Sequence, residues 1–245
     1  MKSSKLCVLF FAALLMAGSV SCFAQSDTPL QSPKGYLDLS LAGMSSSKNG
    51  SVFSSAVSWQ RLHGVALKKR FFVGYGARLT SYFGQDGNYI TAPAKVSEGN
   101  FLKAQNQTKL DTMVFGSGQI NSLNLSIHLG YSITPKFTLG FNIDALGFSF
   151  GGEKKGTFYA LSQGQTPTEQ TAKPTSFNLL LTGDYDIGSL NSEIYAAYKL
   201  NERLGLRAGL SFLFSEYTTS QKLAFDNDRF RRKTLAPMLA LSYHL

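Results

Sequence analysis

One short unit is written three times in this chain, and it leaves few folds open. The copies centre on Leu67-Lys68-Lys69-Arg70-Phe71, Ile133-Thr134-Pro135-Lys136-Phe137 and Leu200-Asn201-Glu202-Arg203-Leu204. Each reads apolar, two turn residues, basic, apolar, and its last residue opens a run with apolar residues at every second position. The segments that arrive at these turns end alike, in Gly64-Val65-Ala66-Leu67, Gly130-Tyr131-Ser132-Ile133 and Ala197-Tyr198-Lys199-Leu200. A fourth copy of that ending, Ser242-Tyr243-His244-Leu245, stands last in the sequence. Period two places alternate side chains on opposite faces of a strand. Strands joined by short turns pair antiparallel, so the chain is predicted to be a series of hairpins.

The clearest strand alternates Leu123, Leu125, Ile127, Leu129, Tyr131 and Ile133 with Ser122, Asn124, Ser126, His128, Gly130 and Ser132. Similar runs start at Leu37, Val52, Phe71, Phe137, Ser192, Leu204 and Leu235. Eight strands in up-and-down order are therefore expected, with long connections at about 84–118, 151–188 and 218–233. Segments Leu110 to Phe115 and Phe177 to Tyr185 also have strand character. If both crossed the sheet the count would be ten, but the middle repeated turn would then lie at the opposite end from its two sisters. Eight keeps the three turns together. No period holds along the whole chain, which argues against a solenoid.

The ends of the chain bound its compartment. Lys2 and Lys5 precede an apolar run from Leu6 to Ala17, and Cys22-Phe23-Ala24 supplies small residues at a cleavage position. Residues 1–24 are read as a secretory signal peptide, 25–33 as a leader, and 34–245 as the folded domain. The alternative is lipidation at Cys22, although Ser19-Val20-Ser21-Cys22 lacks the leucine usual at the start of such a box. Cys7 and Cys22 are the two cysteines. Cleavage after Ala24 therefore leaves no disulfide chemistry, which is unusual for a small secreted soluble domain. No later segment approaches the roughly 20 apolar residues of a membrane helix.

A soluble sandwich alternates as well, so three further features separate it from a membrane barrel. Aromatic residues gather at strand ends: Tyr36, Phe71, Tyr131, Phe137, Tyr198 and Tyr243 beside the turns, and Tyr82, Phe83, Phe148, Phe150, Phe214 and Tyr217 opposite. Short turns at one end face long loops at the other, the asymmetry of outer-membrane barrels. The last strand alternates Leu239, Leu241, Tyr243 and Leu245 to the final residue. With the signal peptide, this pattern resembles the small outer-membrane β-barrel family of Gram-negative bacteria, in which a terminal strand of this kind is the signal read by the assembly machinery. The usual final residue is Phe, and here it is Leu245. The resemblance implies a closed antiparallel transmembrane β-barrel in the outer membrane, with lipid, lipopolysaccharide and the assembly machinery as partners.

The inward positions should carry Asp38, Arg78, Asn124, Ser126, His128, Asn142, Asp144, Glu193, Lys199, Arg207 and His244. A polar lumen network of Asp38, Arg78, His128, Asp144, Glu193 and Arg207 is expected to fill the interior, as side chains do in an eight-stranded barrel. Counting Lys199, its acidic and basic charges balance. The alternative use of such a lumen is a narrow path for ions or small solutes. Ser126 and His128, two residues apart with acids nearby, admit a third reading as a lipid acyl hydrolase. Inward placement argues against that reading, and no catalytic or cofactor-binding residue is assigned. Three histidines and the lost cysteines give no metal-ligand spacing.

Arg229, Arg231, Arg232 and Lys233 precede the last strand, and guanidinium forks suit lipopolysaccharide phosphates at that level. Nucleic acid is an improbable partner, because this charge is reached only after export. Arg61 and His63 conflict with the pattern, since they share the phase of Val57 and Trp59. The expectation is thus a non-enzymatic barrel acting through external loops on an unknown extracellular ligand.

Overall fold

The structure is a computed structural model and describes residues 34–47, 50–66, 70–92, 110–181 and 185–245. The expected signal peptide, leader and Cys22 lie outside the described residues, as do Leu67, Lys68 and Lys69 of the first repeated turn. The described chain is all-β. Its strands are β1 (Lys34–Ser46), β2 (Gly50–Ala66), β3 (Phe71–Thr91), β4 (Thr112–Ser132), β5 (Phe137–Phe150), β6 (Lys154–Tyr159), β7 (Thr168–Pro174), β8 (Phe177–Leu179), β9 (Asn191–Lys199), β10 (Leu204–Thr219) and β11 (Arg229–His244). They form one 11-stranded antiparallel sheet.

Within that sheet a ring of eight strands closes in the order β1, β2, β3, β4, β5, β9, β10, β11 and back to β1. The closing seam joins the two ends of the domain, with Leu37 opposite Tyr243, Leu39 opposite Leu241 and Leu41 opposite Leu239. Closure leaves no unpaired edge, so ring-strand donors and acceptors are satisfied within the protein.

The alternation resolves into an inside and an outside that reverse the soluble pattern. Leu37, Leu39, Val57, Trp59, Leu79, Leu123, Leu125, Ile127, Leu139, Phe141, Ile194, Leu206, Leu210, Leu239 and Leu241 all face outward and are exposed. Their sequence neighbours Asp38, Ser58, Arg78, Asn124, Ser126, Asn142, Glu193 and Arg207 face inward and are buried. The apolar belt thus encircles all eight ring strands.

The second and third repeated turns are built alike. Ile133 N donates to Phe137 O at 2.9 Å, and Leu200 N to Leu204 O at 2.9 Å. The Thr134 hydroxyl accepts from Phe137 N at 3.0 Å, and the Asn201 side-chain oxygen from Leu204 N at 2.9 Å. A short polar side chain at the first turn position therefore closes each loop by capping its own backbone.

The regions expected as long loops are partly strand. β3 and β4 continue far past the eight-stranded ring, pairing Gly87 with Phe115 and Ile90 with Thr112. Segment 151–188 contains β6, β7 and β8, while β10 and β11 extend into 218–233. Leu110 to Phe115 and Phe177 to Tyr185 do not supply two further crossing strands. The first leads into the extended β4, and among the described residues of the second the one strand is the three-residue β8, beside the upper half of β5.

These extensions close a second, smaller ring above the first: β3, β4, β6, β7, β10, β11 and back to β3. It is closed where β11 meets β3 through Phe230 opposite Thr91. At Asp86, which sits at a φ of 49°, the inward phase of β3 moves from Tyr82 and Gly84 to Gly87 and Tyr89. The upper interior is apolar. Tyr89, Met113, Phe115, Phe158, Tyr217 and Phe230 fill it, and Tyr82, Ile120 and Leu213 join them from below. Tyr82 and Tyr217, expected in an outer aromatic girdle, thus turn inward. Phe83, Phe148 and Phe150 do face outward and are exposed.

The misfit of Arg61 and His63 has a positional cause. Arg61 lies opposite Gly35, at the start of β1, and just before an irregularity in β2 between Gly64 and Ala66. The His63 ring stacks on Tyr75 at 6.0 Å, and Trp59 meets the same ring edge-on at 6.0 Å. Both residues therefore sit at the turn-side rim, where a charge beside an apolar belt costs little.

Candidate functional site

The inward side chains of the eight-stranded ring meet in one chain of alternating charge. Asp38 of β1 pairs with Arg207 of β10, and Arg207 pairs with Glu193 of β9 at 2.5 Å. Glu193 also pairs with Arg78 of β3 at 3.1 Å, and Arg78 with Asp144 of β5 at 3.2 Å. Every ion in the chain is at least nine-tenths buried.

Amides from neighbouring strands add hydrogen bonds to the ions, while Asp38 Oδ1 and Arg207 Nε have no hydrogen-bond partner among the described residues. Gln60 of β2 donates to Asp38. Asn142 accepts from Arg78 at 2.5 Å and donates to Glu193 at 2.7 Å. Asn124 of β4 and the backbone N–H of Asn191 donate to Asp144 at 2.9 and 3.0 Å. The Arg207 guanidinium also lies 3.8 Å from the centre of the Tyr195 ring, a close cation–π contact. Every ring strand except β11 supplies a polar group to this charge chain or its amides, and at that level β11 closes the wall with Ala236, Met238 and Ala240.

Two glycines show why the inner face reads small-large along the sequence. A Cβ on Gly140 would come within 2.3 Å of the Tyr195 ring, and one on Gly147 within 2.2 Å of the Asn124 side-chain oxygen. Bare backbone opposite a bulky side chain is what lets the interior fill completely.

The expected charge balance is not met. Lys199 lies at the turn end of β9, beyond the charge chain, so three carboxylates share two guanidiniums and the amides of Gln60, Asn124 and Asn142 supply the remaining donors. His128 is 1% exposed, and its Nε2 shares a hydrogen bond of 2.8 Å with the Ser126 hydroxyl. Its Nδ1 has no hydrogen-bond partner. The acids that a Ser–His pair would need, Asp144 and Glu193, are held instead by Arg78 and Arg207. Ser126, His128 and an acid are therefore not arranged as an acyl-transfer triad, and the serine is buried. Among the described residues no group of His, Cys, Asp and Glu could hold a metal ion.

The four basic residues assigned to lipopolysaccharide do not share one exposed surface. They belong to β11 itself rather than to a loop before it. Arg231 is 1% exposed and bonds Glu216 through Nε at 2.9 Å and Nη2 at 2.6 Å, while Nη2 also donates to the Asp186 carbonyl. Arg229 grips the same carboxylate at 2.8 and 3.0 Å, and Gly188 N donates to it at 3.1 Å. Arg232 is buried, which leaves Lys233 as the exposed member. The physical reason lies in the neighbouring strand. Glu216 occupies the outward phase of β10 and is covered by segment 185–189, so it draws the arginines of β11 into a buried cluster.

Sequence reasoning missed Glu216, Gln60, Tyr195, Asn178 and Asn191. Gln60 and Tyr195 had a usable signal, the inward phase of their strands. Asn178 had none, because the three-residue β8 offers no period. Its side chain nevertheless bridges the wall, donating to Asn124 at 2.8 Å and accepting from Ser149 at 2.9 Å and from Ser189 N at 2.9 Å.

The sequence matches no protein-family model and no curated protein. Among solved structures the chain is similar to Neisserial surface protein A, at 11% identity over 85% of this chain and 95% of that one, with a TM-score of 0.35. It is also similar to the attachment invasion locus protein Ail of Yersinia pestis, solved with the heparin analogue sucrose octasulfate, at 11% identity over 87% and 97% with a TM-score of 0.31. The toluene transporter TbuX of Ralstonia pickettii is similar at 10% identity over 87% and 89%, with a TM-score of 0.25.

Proposed function

We propose that the chain is a membrane-spanning barrel of a Gram-negative outer membrane, with a sealed lumen and no catalytic activity. It acts as an envelope-structural or surface-binding protein through the end that carries the smaller ring. The belt of exposed Leu, Ile, Val and Phe around all eight ring strands supports the membrane reading. In water that surface would far exceed the few hundred Å² of apolar patch that a soluble monomer tolerates. In lipid it is matched, and the closed ladder satisfies the backbone. The repeated turns belong on the periplasmic side and the smaller ring outside. On this reading the apolar strand Leu239, Leu241, Tyr243 and Leu245, exposed on the outer face, is the part offered to the assembly machinery, and Lys233 is the side chain best placed for lipopolysaccharide.

The observation that carries the sealed-lumen reading is the burial of the interior at two levels. Asp144 is 0% exposed and Arg78 2%, although both are charged and lie in the middle of the lumen. A water-filled channel would leave such groups accessible. Above them the aromatic interior of the smaller ring closes the same axis. The runner-up, a narrow channel, therefore needs both layers to open.

Liposomes loaded with a small sugar test the choice. Incorporating the full chain is expected to add no measurable solute flux over protein-free vesicles. Flux that rises in proportion to incorporated protein would establish the channel instead.

A further inference from the structure

The repeated turns carry one feature that a sealed barrel does not use. Each outgoing strand is entered through a cation: Lys34 opens β1, and Arg70, Lys136 and Arg203 stand immediately before β3, β5 and β10. All four are exposed. Among the described residues neither Lys136 nor Arg203 has a carboxylate within ion-pair distance. Their turns are neighbours in space, since Lys199 N, which ends the strand between them, donates to Lys136 O at 2.8 Å.

The outer wall beside these two turns is hollowed. A shallow, open groove of about 340 Å³ is lined by Leu139, Ile194, Tyr195, Ala196, Ala208, Gly209 and Leu210. Its cause is legible in the register. Ala196 lies between Leu139 and Ala208, so two alanines adjoin at a level where the rows above and below carry Ile194 with Leu210 and Tyr198 with Leu206. Gly209 contributes only backbone to the groove, because its side-chain position belongs to the inward phase of β10, opposite Tyr195. Tyr198 is 49% exposed and sits between Phe137 and Leu206, on the side of the groove nearer the two turns. Reading from groove to turn, the surface passes from apolar through a tyrosine to cations. A phospholipid makes the same passage from acyl chain through glycerol to phosphate.

We infer that the β5–β9–β10 face holds one anionic phospholipid, with an acyl chain in the groove and its phosphate between Lys136 and Arg203. The site rests on the membrane reading above. Lys34 and Arg70 share the rim, but Lys34 lies over the Phe72 ring at 5.9 Å, whereas Lys136 and Arg203 adjoin the strands that form the groove. The ligand chemistry is a lipid with a net negative headgroup. A zwitterionic lipid fills the groove equally well but gains less from two unpaired cations.

The test uses the full chain folded in detergent, titrated with dioleoylphosphatidylglycerol or dioleoylphosphatidylcholine, with retained lipid read by native mass spectrometry. One phosphatidylglycerol is expected to be retained, with a preference over phosphatidylcholine on the order of tenfold. Lys136→Ala with Arg203→Ala should abolish the preference while leaving residual retention of both lipids. Ala208→Phe, which fills the groove from the lipid side, should remove retention of both. Lys155→Ala, a cation on the smaller ring, should change nothing. Equal retention of the two lipids by the native chain, or an undiminished preference in the double variant, would overturn the site. Insertion into bilayers is scored separately by protease protection. A chain that inserts but shows no preference sinks the lipid site alone, whereas one that stays outside the bilayer sinks the membrane reading.

Discussion

Arg78→Leu is expected to cost about 3–5 kcal/mol of folding stability, the range for breaking a buried ion pair by removing one partner. The size follows from what the guanidinium touches. It holds Asp144 at 3.2 Å, Glu193 at 3.1 Å and the Asn142 oxygen at 2.5 Å, all of them buried side chains. Glu193 keeps Arg207 after the change. Asp144 keeps only the Asn124 amide and the Asn191 N–H, and so remains a buried charge without a cation. Adding Asp144→Asn to Arg78→Leu should therefore restore a substantial part of the loss. Urea unfolding in detergent or lipid, followed by the shift in gel mobility between folded and unfolded barrel, reads both effects. Equal stability of Arg78→Leu and the native chain would mean that the lumen is hydrated and the ion chain contributes little.

The second large effect is expected at Tyr217, which is 0% exposed in the interior of the smaller ring. Its ring lies 4.7 Å from Phe115 and 5.4 Å from Tyr89, and its hydroxyl accepts from Gln119 N at 2.8 Å. Tyr217→Ala removes an aromatic side chain from a packed core, which costs about 3–5 kcal/mol. Tyr217→Phe keeps the packing and forfeits the two hydrogen bonds of the hydroxyl to the Gln119 backbone, for about 1–2 kcal/mol. The loss should be regional, because the eight-stranded ring keeps its own charge chain and its own closure. Limited proteolysis should accordingly cut the alanine variant within β6 and β7 while the ring below stays protected. Protection equal to the native chain at both levels would show that the aromatic interior does not hold the smaller ring together.

Most of the lower ring was legible in the sequence because its outer and inner faces impose opposite polarities on alternate residues. A run such as Leu123 to Ser132 has only one way to satisfy both. The turns were legible for a related reason: Thr134 and Asn201 cap their own loops, a local interaction that needs no distant partner. The lumen partners Asp38, Arg78, Asp144, Glu193 and Arg207 could be placed on the inner face by phase alone. Their pairing could not, since it depends on strand register and on which strands become neighbours in the ring, such as β5 and β9. The smaller ring was hidden for a different reason. Its strands change phase at Asp86, use polar residues on the outside, and bury tyrosines that look like a membrane girdle. Arg231 was misplaced on similar grounds, because a basic residue near a strand end reads as solvated until Glu216 is seen beside it.

The central claim is that alternate residues of the eight-stranded ring face lipid and a closed polar interior. Spin labels at single cysteines introduced along β4, in a chain with Cys7 and Cys22 replaced by Ser, address it directly. After reconstitution into bilayers, labels at positions 123, 125 and 127 should be relaxed strongly by oxygen dissolved in the lipid. Labels at 122 and 126 should respond weakly both to oxygen and to a water-soluble relaxant. A period of two in oxygen accessibility, with the interior positions shielded from both reagents, is the predicted result. Strong relaxation of the 122 and 126 labels by the water-soluble reagent would contradict the sealed lumen, and loss of the alternation would contradict the barrel in lipid.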